Sequence, residues 1–203
     1  CMTILAKLLL LTFCIPLNAH AKLEFYMIDP VHTRVLFRVM HAGFSPSIGT
    51  VSTPSGHIWF DEQDISQSTV EVQIPVNRLD MGNSEWTNKV LSSTYLSAEQ
   101  FPLATFKSIG IELVEDNKFW VDGILSIAGK TSPIRFTVIL NANKRHPLTL
   151  KNTIGLQASA QFSRKALGID AWPSLIDDTV YMDIAIEANK STPTKLDTPQ
   201  NVD

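Results

Sequence analysis

The amino-acid sequence predicts an all-β protein, an antiparallel barrel or sandwich of roughly eight to nine strands with short helices near one end. Three observations predict it. Apolar residues recur at every second position in one run after another, the period at which a strand turns one face to a core. Turn-forming Gly, Pro, Asn and Asp fall between those runs at hairpin spacing. No long stretch carries a helical apolar period, so helices cannot supply the core. Closure into a barrel is favoured because an open sheet of this size leaves two unpaired edges. A barrel of about eight strands can be filled by side chains or can hold one small ligand.

Residues 26–61 open the meander. Val35, Phe37 and Val39 share one face, alternate with Arg34, Leu36, Arg38 and Met40, and lead to His41. Gly43, Ser45, Pro46 and Gly49 break the run. A second extended piece follows at 48–52, Thr53-Pro54-Ser55-Gly56 reads as a turn, and 57–60 as a third strand. Val70, Val72, Ile74 and Val76 then alternate with Glu71, Gln73, Pro75 and Asn77; Pro75, lacking an N–H, marks an edge, a bulge or a strand end. Residues 78–100 change character. Asn83 or Ser84 can cap a short helix with Trp86, Val90 and Leu91 on one face, and Ser97 can cap a second helical turn. Helices this short are marginal alone and must lean on the sheet, over one barrel end.

Strands resume with Ala104, Phe106, Ser108 and Gly110 on one face. After a polar hairpin loop at 115–118 come Val121, Gly123, Leu125 and Ile127 in phase, then Ile134, Phe136, Val138 and Leu140. Residues 143–149 form a loop; Leu156, Ala158, Ala160 and Phe162 form the next run, residues 168–173 are irregular, and Val180, Met182, Ile184 and Ile186 close the series.

The chain has 203 residues and a formal net charge of -3, which suits a single domain and excludes the basic footprint of a nucleic-acid binder. Residues 1–21 read as a secretory signal peptide: Lys7, a short apolar run over 8–17, and the small-x-small site Ala19-His20-Ala21. That site favours cleavage over an uncleaved anchor, and the large Phe13 before Cys14 disfavours acylation of that cysteine. Cleavage removes one Lys and both cysteines, so 16 basic residues face 20 acidic ones and no thiol or disulfide survives. The expected organisation is a signal peptide at 1–21, a barrel domain at 22–189 and a disordered tail at 190–203.

Several motifs, in order, resemble those of the YceI-like proteins. The opening is Tyr26-x-Ile28-Asp29-x-x-His32-Thr33-x-Val35-x-Phe37-x-Val39-x-His41-x-Gly43, with Gly49 and Gly56-x-Ile58-x-Phe60-Asp61 after it. Phe101-Pro102-x-Ala104-Thr105-Phe106-x-Ser108 and Val121-x-Gly123-x-Leu125-x-Ile127-x-Gly129-x-Thr131-x-Pro133-Ile134 follow, then Phe162-Ser163-Arg164-Lys165-x-x-Gly168-Ile169 and Asp178-x-Val180. Many members carry Arg-Asp-x-His-Leu where this chain has Trp86-Thr87-Asn88-Lys89-Val90, so no role of that ion-rich segment carries over and the position marks a different cap over the barrel mouth. The resemblance implies an extended, lipocalin-like antiparallel barrel, exported to the bacterial periplasm, whose apolar lumen holds an isoprenoid lipid such as ubiquinone.

An isoprenoid tail offers no hydrogen bonds and needs a dry aliphatic and aromatic tube; burial of apolar area, at about 25 cal/mol per Å², drives its uptake. The in-phase faces offer Val35, Phe37, Val39, Val72, Ile74, Phe106, Leu125, Ile127, Phe136, Phe162, Met182 and Ile184 as lumen residues, with His41 placed for a polar head group. Gly123, Ala158 and Ala160 would leave space among them. Periodicity alone favours a solid core, as in a structural or stress-response barrel acting through a protein partner; the resemblance turns the reading to an open lumen. His32 and His41 lie nine residues apart, about 30 Å along an extended strand, and with His57 match no compact metal motif. No nucleophile elbow occurs, Asp177-Asp178 reads as a solvated turn and Arg164-Lys165 as a surface pair, so a non-enzymatic protein without a resident cofactor or metal is expected. The reading leaves room for transient membrane contact and for a homodimer.

Overall fold

The computed structural model describes residues 23–194 and residue 197. The signal peptide expected at 1–21 lies outside them, as do residues 195, 196 and 198–203 of the expected tail. Eleven strand segments form one sheet: β1 (Glu24–Ile28), β2 (Arg34–His41), β3 (Ser45–Ser52), β4 (Ser55–Phe60), β5 (Thr69–Pro75), β6 (Leu79–Asp80), β7 (Leu103–Glu115), β8 (Lys118–Ile127), β9 (Lys130–Arg145), β10 (Asn152–Ser163) and β11 (Ile176–Lys190). Three pairs of segments are single staves broken once. β1 and β2 lie end to end along β11, β4 and β3 along β1 and β2, and β5 and β6 along β4 and β3. Counted as staves, the sheet is an eight-stranded antiparallel meander whose last member, β11, pairs back onto the first and closes the barrel. The strand after Ser52 starts earlier than the turn read at 53–56. Ser55 and Gly56 already pair with β5, and Gly56 (φ +145°) has the Glu71 carbonyl where a side chain would sit.

The break between β1 and β2 replaces ladder bonds with others. At 29–33 the Asp29 N–H donates to the Glu187 carbonyl (2.8 Å), the Thr33 N–H donates to the Asp29 carbonyl (3.1 Å), and the Asp29 carboxylate accepts from the Val31 N–H (2.8 Å). Thr33, buried, donates its hydroxyl to the Glu187 carbonyl and accepts from the Glu187 N–H. The same carboxylate pairs with the His32 Nδ1 at 3.0 Å, and that hydrogen bond raises the imidazole above its ordinary value of 6.5. The third break, a single 3-10 turn at Val76–Arg78, follows Pro75, which ends β5.

Among the described residues one α-helix, α1 (Ser84–Leu91), crosses the end of the barrel where β2 finishes and β3 begins. The Asn83 side chain caps it, accepting from the Glu85 and Trp86 N–H groups. The second helical turn expected with Ser97 as its cap is a single isolated turn without that side-chain cap, the Ser97 hydroxyl donating instead to the Ser93 carbonyl. Ser97 sits at φ +48°, not in the extended conformation of a cap, and its carbonyl accepts the N–H groups of Gln100 and Phe101 in a tight turn. At the strand's far end β11 runs to Lys190, whose ammonium pairs with Glu24, and Ser191 donates its N–H to the Phe25 carbonyl. Ordered structure therefore reaches past the residue-190 boundary of the expected tail. Trp59 also donates its indole N–H to the Asp197 carbonyl (3.0 Å).

The interior is filled unevenly. Away from α1 it is a packed core of Tyr26, Ile28, Ile58, Phe60, Phe119, Val138, Ile154 and Leu156. The Phe106 ring marks the edge of that core. It meets Phe136 edge-on (centroids 5.1 Å apart) and lies over Gly123, where any Cβ would overlap the ring and the Lys107 carbonyl. Gly123 does not leave a void, as expected from its size; the Phe106 ring takes the space.

At the α1 end the expected surface pair Arg164-Lys165 divides. Lys165 is exposed, but Arg164 is 3% exposed. Its Nε donates to the Asp177 carbonyl (2.8 Å), its Nη1 to Ile169 and Ala171 (2.6 and 2.9 Å) and its Nη2 to Ile176 (2.6 Å). A planar fork of donors thus gathers the loop between β10 and β11 from the inside, geometry an ammonium cannot match. Asp177 and Asp178 belong to β11, not to a turn. The Asp178 carboxylate accepts from the Lys165 N–H and the Ser163 hydroxyl, contacts that hold it below its ordinary value.

Three outcomes are expected. Gly123→Ala destabilises by about 1–3 kcal/mol in urea unfolding, and Phe106→Leu in the same chain restores only part, because the Lys107 carbonyl stays in the way. Arg164→Met leaves four carbonyls without a donor and lowers stability by roughly 3 kcal/mol or more, with Arg164→Lys intermediate. The raised His32 value makes its contribution fully present below 6.5 and lost as pH rises through the higher folded value. Urea midpoints taken from about pH 6 to about pH 9 therefore fall in the parent and run flatter in His32→Gln.

Candidate functional site

Between the Phe106 edge and α1 the barrel is hollow. The cavity measures about 290 Å³ and its lining is almost wholly apolar. Strands supply its wall: Val35, Phe37 and Val39 from β2, Val51 from β3, Ile74 from β5, Ala104 from β7, Leu125 and Ile127 from β8, Phe162 from β10, and Val180 and Met182 from β11. These positions share one face of each strand because side chains alternate, and the meander brings the faces together. The segment after β6 forms the lid, through Met81, Trp86, Lys89, Val90, Tyr95 and Leu96.

Of the lumen residues expected from the sequence, Val35, Phe37, Val39, His41, Ile74, Leu125, Ile127, Phe162 and Met182 line this cavity. Val72, Phe106, Phe136 and Ile184 do not. Phe106 and Phe136 are 7% and 5% exposed and belong to the core, while Val72 and Ile184 are half-buried against it. Period two assigns a residue to the inward face but carries no information on how far down the barrel it sits. Phe106 is paired in register with Leu125, so the change from lining to core takes one ladder step. Small residues open less room than expected, since Ala158 and Ala160 belong to the packed interior.

The lid contributes residues the strand faces could not reveal. Trp86 and Val90 were legible as one helical face, but their meeting with the lumen depends on where the helix docks. Lys89 and Tyr95 gave no such signal. The polar groups of the lining are His41, Ser47, Lys89, Tyr95 and Arg164, with no carboxylate among them. Arg164 is occupied by its four carbonyls. His41 stacks near Trp86, ring centroids 5.9 Å apart, at the mouth, where Trp86 is 47% exposed. Burial pushes the Tyr95 phenol above its ordinary value against the opposing pull of the Arg164 charge, so it stays a neutral hydroxyl. The site thus offers hydrogen-bond donors beside a greasy chamber. The three histidines are dispersed: His32 lies at the break between β1 and β2, and His57 sits beside Phe25, 5.5 Å between centroids. Asp29, His32 and Glu187 come together at that break, away from the cavity, on an exposed surface.

A family model described as a YceI-like domain matches residues 26–188. A UPF0312 protein of Shewanella denitrificans is 28% identical over 189 residues, 92% of this chain and 97% of that protein. A UPF0312 protein of Photorhabdus laumondii is 34% identical over 137 residues, 68% of this chain and 67% of its own length. Among solved structures, Burkholderia cenocepacia BcnA superposes with a TM-score of 0.71 at 22% identity, covering 79% of this chain and 98% of its own. A polyisoprenoid binding domain from Saccharophagus degradans, implicated in plant cell wall breakdown, gives 0.62 at 15% identity over 84% of this chain and all of its own. At these identities the structures speak for the barrel fold. The family match runs from β1 into β11, through every stave that closes the barrel, and the chain belongs to the YceI-like family.

Proposed function

We propose that the protein is a non-enzymatic periplasmic carrier that holds an isoprenoid lipid in the hollow half of the barrel, tail inward and head group at α1. The observation that carries this reading is the apolar chamber of about 290 Å³, walled by nine of the strand-face residues named from the sequence and free of carboxylates. Each five-carbon prenyl unit drawn from water into such a lining is worth roughly 4 kcal/mol before the costs of association. The solved polyisoprenoid binding domain with the same fold supports the ligand class. At the mouth, Lys89, Ser47 and His41 suit a head group that accepts hydrogen bonds, such as the carbonyls of a quinone. The volume sits at the low end of the range of about 300–1,000 Å³ for small-molecule sites. A short tail fits the chamber as it stands, and a longer one requires the α1 lid to move outward. A solid-core barrel working only through a protein partner does not account for a hollow half.

The test is extraction of the natively purified protein and mass spectrometry of the extract, with a prenyl lipid expected. Added ubiquinone should raise the melting temperature, by about 2.7 kcal/mol of stabilisation at a hundredfold excess over Kd. Ala104→Trp, which fills the chamber from β7, should leave the circular dichroism spectrum intact and weaken ubiquinone binding by about tenfold or more. An extract without prenyl lipid, together with unchanged melting, defeats the carrier reading.

A further inference from the structure

The end of the barrel that carries the cavity mouth also carries the largest exposed aromatic side chains of the described residues. Phe44, at the tip of the turn between β2 and β3, is 91% exposed. Trp172 and Leu175, in the loop between β10 and β11, are 54% and 42% exposed, and Trp86 of the lid is 47% exposed. Backbone hydrogen bonds tie these tips to the chamber. The Phe44 N–H donates to the carbonyl of His41, a lining residue (3.0 Å), and the N–H of Ile176, another, donates to Trp172 (3.0 Å). The two loops are joined by the Ala42 N–H to the Leu175 carbonyl (2.6 Å). Arg164 holds the second loop from beneath through Ile169, Ala171 and Ile176. The aromatic tips therefore form one platform around the mouth. The opposite end exposes the aliphatic Val31, Leu148 and Leu150, with no exposed Phe, Tyr or Trp among the described residues there.

We propose that this rim docks the open end on a lipid bilayer, with Phe44, Trp172 and Leu175 entering the headgroup boundary so that the cavity mouth faces the membrane. The proposal rests on the carrier reading for its purpose, since a prenyl lipid resides in the bilayer. The chemistry of the rim favours a bilayer on its own account. Trp and Phe beside aliphatic carbon are the side chains that partition to the boundary between headgroups and acyl chains. The formal net charge of -3 gives no general attraction to an anionic surface. Docking here is apolar insertion, so it should need neither anionic lipid nor low salt.

The full chain is sedimented with phosphatidylcholine vesicles, with and without phosphatidylglycerol, at low and high salt. Co-sedimentation under all conditions is expected, with tryptophan fluorescence quenched by brominated acyl chains. The double variant Phe44→Ser, Trp172→Ser, which replaces no lining residue and leaves the main-chain bonds to His41 and Ile176 in place, should lower vesicle partitioning by about tenfold or more, the effect of removing a large buried apolar side chain. It should leave the melting temperature and the binding of detergent-solubilised ubiquinone unchanged. If the double variant sediments like the parent, the rim is not the docking face. If the parent binds solubilised ubiquinone but ignores vesicles, docking fails and the carrier reading stands. Vesicle binding without ubiquinone binding leaves docking intact and removes the carrier reading. A parent that dimerises in light scattering, loses this in the double variant and never sediments shows the rim to be a self-association face and overturns the proposal.

Discussion

A single contact, the Phe106 ring lying over Gly123, divides the barrel. Only glycine at that position admits the ring, because a Cβ would meet both the ring and the Lys107 carbonyl. Once seated, the ring meets Phe136 edge-on and terminates the core. Everything on the far side can be packed for stability, with Tyr26, Phe60 and Ile154 almost fully buried. Everything on the near side can stay open without draining that stability. A barrel of this strand number has an interior that is either filled or ligand-sized; here one aromatic floor lets the same eight staves do both.

The hollow half needs a different kind of support, because its walls have nothing to press against. Two devices supply it. The lid formed by α1 and the turns after it covers the lumen with Trp86, Val90, Tyr95 and Leu96. The Arg164 guanidinium cross-links the loop between β10 and β11 by donating to four carbonyls. A buried cation is expensive to desolvate, and it is tolerated here because four of its five N–H groups find a carbonyl oxygen. Polar hardware thus holds the rim of an apolar chamber.

The strands were legible in the sequence because their period is short and their turns are chemically marked. The alternation from Val35 to Val39 or from Val180 to Ile186 reads directly as an inward face, and Asn83 announces the helix it caps. The breaks were less legible. β1 and β2 look like one strand or two depending on whether Asp29 and Thr33 can replace the ladder bonds, and that depends on Glu187, more than 150 positions along the chain. Depth along the barrel axis was not legible at all. Phe37 lines the chamber and Phe106 belongs to the core beyond it, although both sit on clean alternating runs; register with neighbouring staves decides between them. Arg164 was misread for a related reason, since its partners are main-chain carbonyls, which no side-chain pattern advertises.

The closing seam has one more consequence. β11 is the final stave, and its outer edge receives both β1 and β2, the first segments of the fold. No partial chain emerging from synthesis can zip that seam, because residues near position 190 must arrive before residues near position 26, already paired with β4, gain their second neighbour. Until then the first segments offer a naked β-edge to any other chain nearby. Joining the two extremes of the sequence is a slow, non-local step, so that edge stays open until nearly the whole fold has been made.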